Sequence, residues 1–338
     1  MTQKTHLIVD TANILFRVAS AHTKYNVGGS AEDQAGLALH MALMTLKSHY
    51  NRVRPDVVAL TFEGTNNWRK TYTRSEKCVS GRIYKDNRVK DDSMIPFFEL
   101  IKAFEQLARE HTSLICLSHP LCEGDDLFSG YTQHYTSLGD LVVGLSGDKD
   151  FVQLLKYNGF SLLNPDKLGA ERNKDKKGNL IDADYFMFEK AFRGDTGDNV
   201  MPAYPRVRST RLQKAYTDEY ERANIMNETW KFTEPASGAE KTFRVGDLFE
   251  ENQLLMNLER QPEEIRKVIF ETVQQASTDH GKFNFFAFQK FCGKYKLKKI
   301  AEEATNFMPL LSCASKSFQV EAPAEVPVQT KQKSSLVF

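Results

Sequence analysis

The sequence HLIVD, from His6 to Asp10, is a short apolar run that ends abruptly in a carboxylate. Such a run is typical of a strand that is buried on both faces. Similar runs follow along the chain at Val57–Phe62, Ser113–Leu117, Leu141–Leu145 and Phe160–Leu163. Segments with the apolar spacing of helices lie between them, as in Leu37–Leu46 and Pro96–Ala108. This alternation predicts an α/β domain with a mainly parallel central sheet flanked by helices.

The length of the chain indicates more than one structural region. The sequence has 338 residues, which exceeds the size at which one hydrophobic core usually stops growing. We expect a large α/β domain over residues 1–216, a helical region over residues 217–310 and a disordered tail over residues 311–338. The tail is predicted from a composition rich in Pro, Ala, Gln, Lys and Ser.

The composition argues against several classes of protein. The five cysteines are scattered and form no CxxC pair, so neither a disulfide framework nor a zinc knuckle is expected. No apolar run approaches the roughly 18 residues that a membrane helix needs, and the first residues lack the apolar core of a signal peptide. These features predict a cytoplasmic protein with no membrane contact. The net charge of +1 does not by itself support a nucleic-acid partner.

Carboxylates follow the ends of the predicted strands. Those that come soon after an apolar run are Asp10, Glu63, Glu123 and Asp148. Further acidic residues lie beside them or in the stretch GDTGDN: Asp125, Asp126, Asp150, Asp195 and Asp198. Strand ends of a parallel sheet meet at one edge, where ligands bind, and crowded carboxylates repel one another unless cations lie between them. Oxygen ligands favour Mg²⁺, for which Mn²⁺ can substitute, and two ions about 3.5–4 Å apart can cleave a phosphodiester.

Each acidic motif alone has a simpler interpretation. Asp10 could be only a helix N-cap, and Glu123–Asp126 could only charge a helix N-terminus favourably. An Asp-x-Asp pair such as Asp148 and Asp150 also occurs in phosphatases and calcium loops, and GDTGDN could be a plain turn. Their joint occurrence at strand ends favours a metal site over unrelated roles.

A segment between Trp68 and Lys90 is rich in basic residues, with Tyr72 and Tyr84 interleaved. The basic residues are Arg69, Lys70, Arg74, Lys77, Arg82, Lys85, Arg88 and Lys90. Basic side chains neutralise phosphates and aromatic faces stack on unpaired bases, so the segment favours contact with a nucleic acid. A solvated surface loop is the alternative.

The order of the motifs resembles that of the 5′-nuclease superfamily, which includes the flap endonucleases and the 5′-nuclease domain of bacterial DNA polymerases. The motifs are LIVDTANILFR (Leu7–Arg17), TFEG (Thr61–Gly64), YKDNR (Tyr84–Arg88), EGDD (Glu123–Asp126), SGDKDFVQLL (Ser146–Leu155) and GDTGDNV (Gly194–Val200). Within the superfamily the chain is most similar to the RNase H-type 5′ nucleases of T-even-like bacteriophages. The resemblance implies a PIN-like fold with a helical arch at about residues 65–93. It also implies metal-dependent hydrolysis at 5′ ends and flaps of DNA or RNA/DNA, with removal of RNA primers and flaps during replication.

The resemblance also implies roles for single residues. The ligands expected at a first metal ion are Asp10, Glu63, Glu123, Asp125 and Asp148. Those expected at a second ion are Asp150, Asp195 and Asp198, with Asp126 shared or in an outer position. Lys85 and Arg88 would face the scissile phosphate. Arg17 also matches a family position and is a candidate nucleic-acid contact, with an ordinary surface or salt-bridging arginine as the alternative. From the basic segment, Arg69, Lys70 and Arg74 are further expected contacts.

Two stretches depart from the family pattern. The second strand leads to Glu63-Gly64 where the family usually has Asp-Gly, which shifts the carboxylate towards a water-mediated contact. Residues 194–216 are expected to form a helix-turn-helix DNA-binding region, but Met201–Arg208 lacks the usual glycines, so we expect no bound potassium ion. The residues expected to grip duplex phosphates instead are Arg206, Arg208 and Arg211.

The chain ends in Leu336, Val337 and Phe338 after a proline-containing stretch. This end either has no function or docks in a hydrophobic pocket of a sliding clamp, which would raise the local concentration of the enzyme at replicating DNA. A single-stranded DNA-binding protein is a further expected partner, and a monomer is the expected state. Two other functions remain open: a catalytically silent, structure-specific DNA-binding protein and a PIN-type endoribonuclease.

Overall fold

The computed structural model of the chain describes residues 2–24, 30–88, 92–175, 177–234 and 238–313. The clamp-binding end predicted at residues 336–338 and the basic residue Lys90 lie outside these ranges. The helices are α1 (Thr11–Lys24), α2 (Ala31–Val53), α3 (Trp68–Thr73), α4 (Ile95–His111), α5 (Gly124–Ser137), α6 (Ala183–Arg193), α7 (Ser209–Thr217), α8 (Glu219–Asn227), α9 (Val245–Met256), α10 (Glu263–Thr278), α11 (Phe285–Lys294), α12 (Lys298–Glu302) and α13 (Met308–Leu311). None of the helices in the described part of the chain has the length and apolar composition of a membrane-spanning helix.

Five parallel strands form the central sheet. They are β1 (Thr5–Asp10), β2 (Val57–Thr61), β3 (Ile115–Leu117), β4 (Leu141–Leu145) and β5 (Phe160–Leu163). The strands lie in the order β3-β2-β1-β4-β5, and every neighbouring pair is parallel. The register places Asp10 opposite Thr61 and Val9 opposite Leu145, so the carboxyl ends of β1, β2 and β4 are aligned. The predicted fold class is confirmed.

Alternate residues of the strands face two layers of helices. Leu7 and Val9 pack with α1, α2 and α4 on one face of the sheet. Ile8 packs with α5 and α10 on the other face. The alternation follows from the period of two in a strand, and helices on both faces bury a parallel sheet.

The prediction of a helical region over residues 217–310 is wrong for one segment. An antiparallel hairpin forms there from β6 (Thr229–Thr233) and β7 (Glu240–Arg244). Its cause is the period-two alternation in TWKFT, which turns Trp230 onto Phe243 in a core shared with α6 to α9. The later helices return to the two faces of the central sheet, α10 to one and α11 to α13 to the other. The predicted boundary at residue 217 therefore does not separate two independent cores.

Parts of the predicted arch and of the predicted tail pack against the domain. The described part of residues 65–93 contains one α-helix, of 6 residues, and no arch-like helix, because the side chains of Trp68 and Tyr84 are buried in the interior. Residues 89–91 lie outside the described part of the chain. The prediction that the disordered tail starts at residue 311 is wrong for Leu311, which is buried and whose carbonyl accepts a hydrogen bond from the Ser113 N–H at 2.8 Å. Residues 314–338 of the predicted tail lie outside the described part of the chain.

Candidate acidic site at the strand ends

The carboxyl ends of the central strands bring acidic side chains to one open cleft. Those that line it are Asp10 at the end of β1, Glu63 after β2, Asp125 in the first turn of α5, and Asp148 after β4. The cleft has a volume of about 570 Å³, and its other lining residues are Ala12, Asn13, Phe16, Arg17, Lys85, Arg88 and Asp166. It lies beside β1, where the strand order reverses direction. Ligands bind to open parallel sheets at such a switch point.

Hydrogen bonds fix Asp10 and Asp148 relative to each other. The Asp10 carboxylate accepts from the N–H of Asn13 at 3.0 Å and from the hydroxyl of Ser146 at 2.8 Å. The Ser146 hydroxyl oxygen accepts in turn from the N–H of Asp148 at 2.9 Å. The bond from Asn13 satisfies an N–H of the first turn of α1. Asp10 therefore caps the start of α1 and also lines the cleft.

Desolvation and mutual repulsion disfavour the charged form of the cleft carboxylates. Burial and then the charge of Asp148 raise the pKa of Asp10 to about 6. Glu63 is accessible from the cleft, yet desolvation and then the charge of Glu123 raise its pKa to about 7. The pKa of Asp125 is also raised, by burial first and then by the charges of Asp10, Glu63 and Asp148. Carboxylates that destabilise one another's charges in this way suit a bound cation.

Glu123 and Asp126 lie behind the cleft, where both bind Arg69. Both oxygens of the fully buried Asp126 accept hydrogen bonds of 2.8 Å from the Arg69 guanidinium. Burial disfavours the charge of Asp126, but Arg69 outweighs that effect and holds the pKa of Asp126 below its ordinary value. One oxygen of Glu123 accepts from Arg69 at 3.2 Å and from the Tyr84 hydroxyl at 3.1 Å.

These contacts correct two expectations. Arg69 is only 1% exposed, so it is not the surface ligand for a phosphate that the basic segment suggested. Asp126 is not placed to be a ligand shared by two ions, because both of its oxygens are bonded in the interior, whereas the outer position considered for it stays a prediction. The sequence could not reveal this pairing, since 57 positions separate the two residues.

Lys85 and Arg88 lie at the rim of the cleft. Lys85 has a φ of 56°, a left-handed conformation that costs roughly 1–2 kcal/mol in a residue with a Cβ. Its N–H donates to the carbonyl of Asp198 at 2.9 Å, and its ammonium donates to Glu123 at 2.5 Å. Burial alone would lower the pKa of Lys85, but Glu123 and other carboxylates raise it above its ordinary value. Arg88 donates to the Asp198 carboxylate at 2.7 Å.

Lys190 is a further cation at the acidic site, and the sequence did not indicate it. Its ammonium, on α6, bonds to Asp150 and lies 3.2 Å from Asp195. The structure thus brings Asp150 and Asp195 together, as predicted for one subsite. Asp198 faces the Tyr84 hydroxyl at 2.9 Å as well as Arg88. No regular sequence spacing pairs Lys190 with these carboxylates, because they follow different elements of the fold.

The remaining basic residues differ in how accessible they are. Those exposed to solvent are Lys70, Arg74, Arg206 and Arg208. Arg17 pairs with Asp166 at the edge of the cleft. Arg211 pairs with Glu221 at 2.8 Å and with Glu228 at 2.5 Å. A phosphate would have to compete with carboxylates for Arg17 and Arg211, whereas the exposed residues could meet it directly.

The chemistry of the cleft suits a divalent cation that prefers oxygen ligands. Carboxylates are its main donors, and no His or Cys is among the residues that line it. In the arrangement seen here, no three His, Cys or acidic side chains of the described residues are grouped so that they could hold an ion. Part of the reason is that lysines of the chain occupy some carboxylates: Lys85 bonds to Glu123, and Lys190 bonds to Asp150. The donor chemistry fits, and the side chains would have to rearrange.

The fold, the acidic cleft and the order of the motifs together define the chain as a 5′ nuclease. The family model for the 5′-3′ exonuclease, N-terminal resolvase-like domain, matches residues 5–189. The chain belongs to this 5′-3′ exonuclease family and is an enzyme of the 5′-nuclease superfamily.

Individual relatives agree with this assignment. A 5′-3′ exonuclease of Buchnera aphidicola subsp. Schizaphis graminum (strain Sg) is 26% identical over 210 residues, which cover 61% of this chain and 67% of that protein. The bacteriophage T5 D15 protein, co-crystallised with metal ions, superposes with a TM-score of 0.57 at 16% identity, covering 81% of this chain and 99% of that one. The T5 D15 flap endonuclease in complex with DNA and metal ions gives a TM-score of 0.55 at 17% identity with the same coverage. At these identities the T5 structures establish the fold.

We predict that Glu63→Gln stabilises the metal-free protein more at high pH than at low pH. Folding raises the pKa of Glu63 from 4.5 to about 7. The stability that such a group contributes is present below its unfolded pKa and is lost as the pH rises through the folded pKa, because the unfolded chain releases the proton more readily. Urea unfolding in EDTA at pH values from about 4 to 8 measures the difference.

The exposed substitution Glu99→Gln on α4 is the control for this measurement. Its stability difference from the wild type should not grow between those pH values. A Glu63→Gln difference that is equally constant would contradict the repulsion inferred in the cleft.

Proposed function

We propose that the chain is a metal-dependent nuclease that hydrolyses phosphodiester bonds at 5′ ends and flaps of DNA or RNA/DNA. The observation that carries this proposal is the cleft at the switch point of the sheet, which combines mutually repelling carboxylates with cations at its rim. The carboxylates are Asp10, Glu63, Asp125 and Asp148, and the cations are Lys85 and Arg88. The T5 D15 structures with metal ions and with DNA support the same assignment.

The proposed cofactor is a pair of Mg²⁺ ions, for which Mn²⁺ can substitute. The carboxylates of the cleft would hold one ion, and Asp150 with Asp195 and Asp198 would hold the other. When bound, such ions activate a water molecule and stabilise the leaving oxygen. The site formed by Asp150, Asp195 and Asp198 can accept an ion only if the Lys190 ammonium moves away from Asp150 and Asp195. Glu123 can join the first group only if its contact with Lys85 breaks.

The basic residues of the chain would position the substrate. Lys85 and Arg88 lie where a phosphate entering the cleft would meet them, and their charge would stabilise the negative charge that develops on the phosphate oxygens. The exposed residues Lys70, Arg74, Arg206 and Arg208 are the proposed contacts for the sugar-phosphate backbone outside the cleft. Because these residues would contact phosphates rather than bases, we expect the enzyme to select its substrate by strand structure and not by base sequence.

A role in replication, by removal of RNA primers and flaps, is part of the proposal and is supported by the resemblance of the motifs. The proposed partners are a sliding clamp, which would bind Leu336–Phe338, and a single-stranded DNA-binding protein. The proposed state is a cytoplasmic monomer.

We predict that Asp148→Asn removes Mg²⁺-dependent cutting of a 5′-labelled flap and of a 5′-labelled nicked duplex. The carboxamide keeps the shape of the side chain but removes one negative charge from the cleft, which weakens its hold on a cation. The wild type should cut with Mg²⁺ and not with EDTA, and product lengths separate exonucleolytic from flap cutting. Asp279→Asn, at the exposed end of α10, is the matched control and should cut like the wild type. Tight binding of both substrates by the wild type without cutting would favour the catalytically silent DNA-binding protein.

We predict that Lys85→Ala lowers the single-turnover rate at saturating substrate by about 10²–10³-fold. The expected cause is the loss of a charge-assisted contact to the phosphate in a partly buried site. Lys102→Ala, an exposed change on α4, should retain the wild-type rate. A nearly unchanged rate for Lys85→Ala under the same conditions would refute the role proposed for its ammonium.

A further inference from the structure

Arg69 is a buried cation directly behind the acidic cleft. It is among the largest of the fully buried side chains in the described residues. Its guanidinium donates to both oxygens of Asp126 at 2.8 Å, to Glu123 at 3.2 Å and, through Nε, to the carbonyl of Leu255 at 2.6 Å. The planar guanidinium carries N–H donors on several edges and can bond to all of these acceptors at once, whereas a lysine ammonium cannot reproduce that geometry.

Asp126 acts as the anchor of this group. Besides Arg69, its oxygens accept from the indole N–H of Trp68 at 3.2 Å, from the amide of Gln261 at 3.1 Å and from the N–H of Glu123 at 3.1 Å. Asp126 has no exposed surface. A carboxylate bonded on all sides in this way is rigid, so the guanidinium attached to it has little freedom to move.

The orientation of Glu123 depends on this anchored guanidinium. One oxygen of Glu123 is held by Arg69 and by the Tyr84 hydroxyl, which leaves the other oxygen to accept from the Lys85 ammonium. The chain of contacts therefore runs from Asp126 through Arg69 and Glu123 to Lys85 at the rim of the cleft. A shift of the guanidinium would be transmitted to the group that meets the phosphate.

The C-terminal half of the chain supports Arg69 directly. Leu255 belongs to α9, and Gln261 follows that helix. Glu251, one turn before Leu255, accepts from the N–H groups of Val79 and Ser80, with 3.1 Å to the latter, and so holds the segment that leads to Lys85. These supports lie beyond residue 189, where the match to the exonuclease family model ends.

We propose that Arg69 is a positioning residue of the nuclease site: its guanidinium, held by Asp126 and by the end of α9, fixes one oxygen of Glu123. The other oxygen is thereby presented to Lys85 in the metal-free site, and it would be presented to a metal ion once Lys85 turns to the phosphate. The inference rests on the proposed function, because it gives the contacts of Arg69 a role in the nuclease reaction. It gives the C-terminal region a part in the site through its contacts with Arg69 and Asp126.

The test is Arg69→Lys, which keeps the positive charge and removes the planar guanidinium. Its unfolding temperature is measured first, followed by single-turnover cutting of a flap substrate, the dissociation constant for that substrate, and Mn²⁺ affinity without DNA by electron paramagnetic resonance. We expect the rate at saturating substrate to fall by about 10–100-fold and the Mn²⁺ affinity to weaken, while the dissociation constant for DNA stays unchanged. Arg266→Lys, the same change at an exposed position on α10, should match the wild type in every readout.

A wild-type rate and wild-type Mn²⁺ affinity for Arg69→Lys would overturn the proposal, because charge alone would then suffice. If Arg69→Lys does not fold, the double substitution Arg69→Met/Asp126→Asn removes both buried charges together, a change that proteins often tolerate. The proposal expects this variant to fold and to cut slowly, and a wild-type rate would overturn it. If the wild type cuts no DNA, the proposed function fails, and the Mn²⁺ comparison between wild type and Arg69→Lys decides the positioning role alone.

Discussion

Electrostatic repulsion among the carboxylates at one edge of the sheet is the constraint on which the rest of the structure depends. Parallel strands must end together, and here the sequence places acidic residues at or just after those ends. Desolvation and then the repulsion from neighbouring carboxylates raise the pKa of Glu63 to about 7. The fold tolerates this arrangement because cations of the chain approach the carboxylates from behind and from the rim. In the proposed function, this cleft, which is otherwise unfavourable for charge, receives divalent ions and a phosphate.

The cations of the chain differ in how firmly they are held. Arg69 is buried and bonded on several edges, so it forms a fixed part of the scaffold. Lys85 and Lys190 are compact charges on flexible stems, and each bonds a carboxylate that we assign to a metal ion. Exchange of these lysine contacts for metal contacts would change the site without rebuilding the fold. The backbone of Lys85 has a left-handed φ of 56°, and the bond from its N–H to the Asp198 carbonyl helps to hold it there.

The sequence predicted the sheet and the acidic cleft well, for identifiable reasons. Buried strands appear as apolar runs, and a carboxylate such as Asp10 after such a run must lie at the sheet edge. The packing of Arg69 could not be predicted, because a basic residue in a polar segment looks exposed until its distant partner Asp126 is known. The pairing of Lys190 with Asp150 joins α6 to the segment after β4, and no local sequence pattern predicts such a long-range contact. The hairpin near Trp230 is hard to predict from the sequence because its two short strands lie among helices.

The most direct test of this account is a crystal structure of the wild type grown with Mn²⁺, with the ions located by anomalous scattering. The account predicts an anomalous peak among Asp10, Glu63, Asp125 and Asp148. It also predicts that any second peak near Asp150 and Asp195 comes with Lys190 turned away from them. A cleft without an anomalous peak at saturating Mn²⁺, with both lysine contacts intact, would contradict the claim that these carboxylates are gathered to hold metal ions.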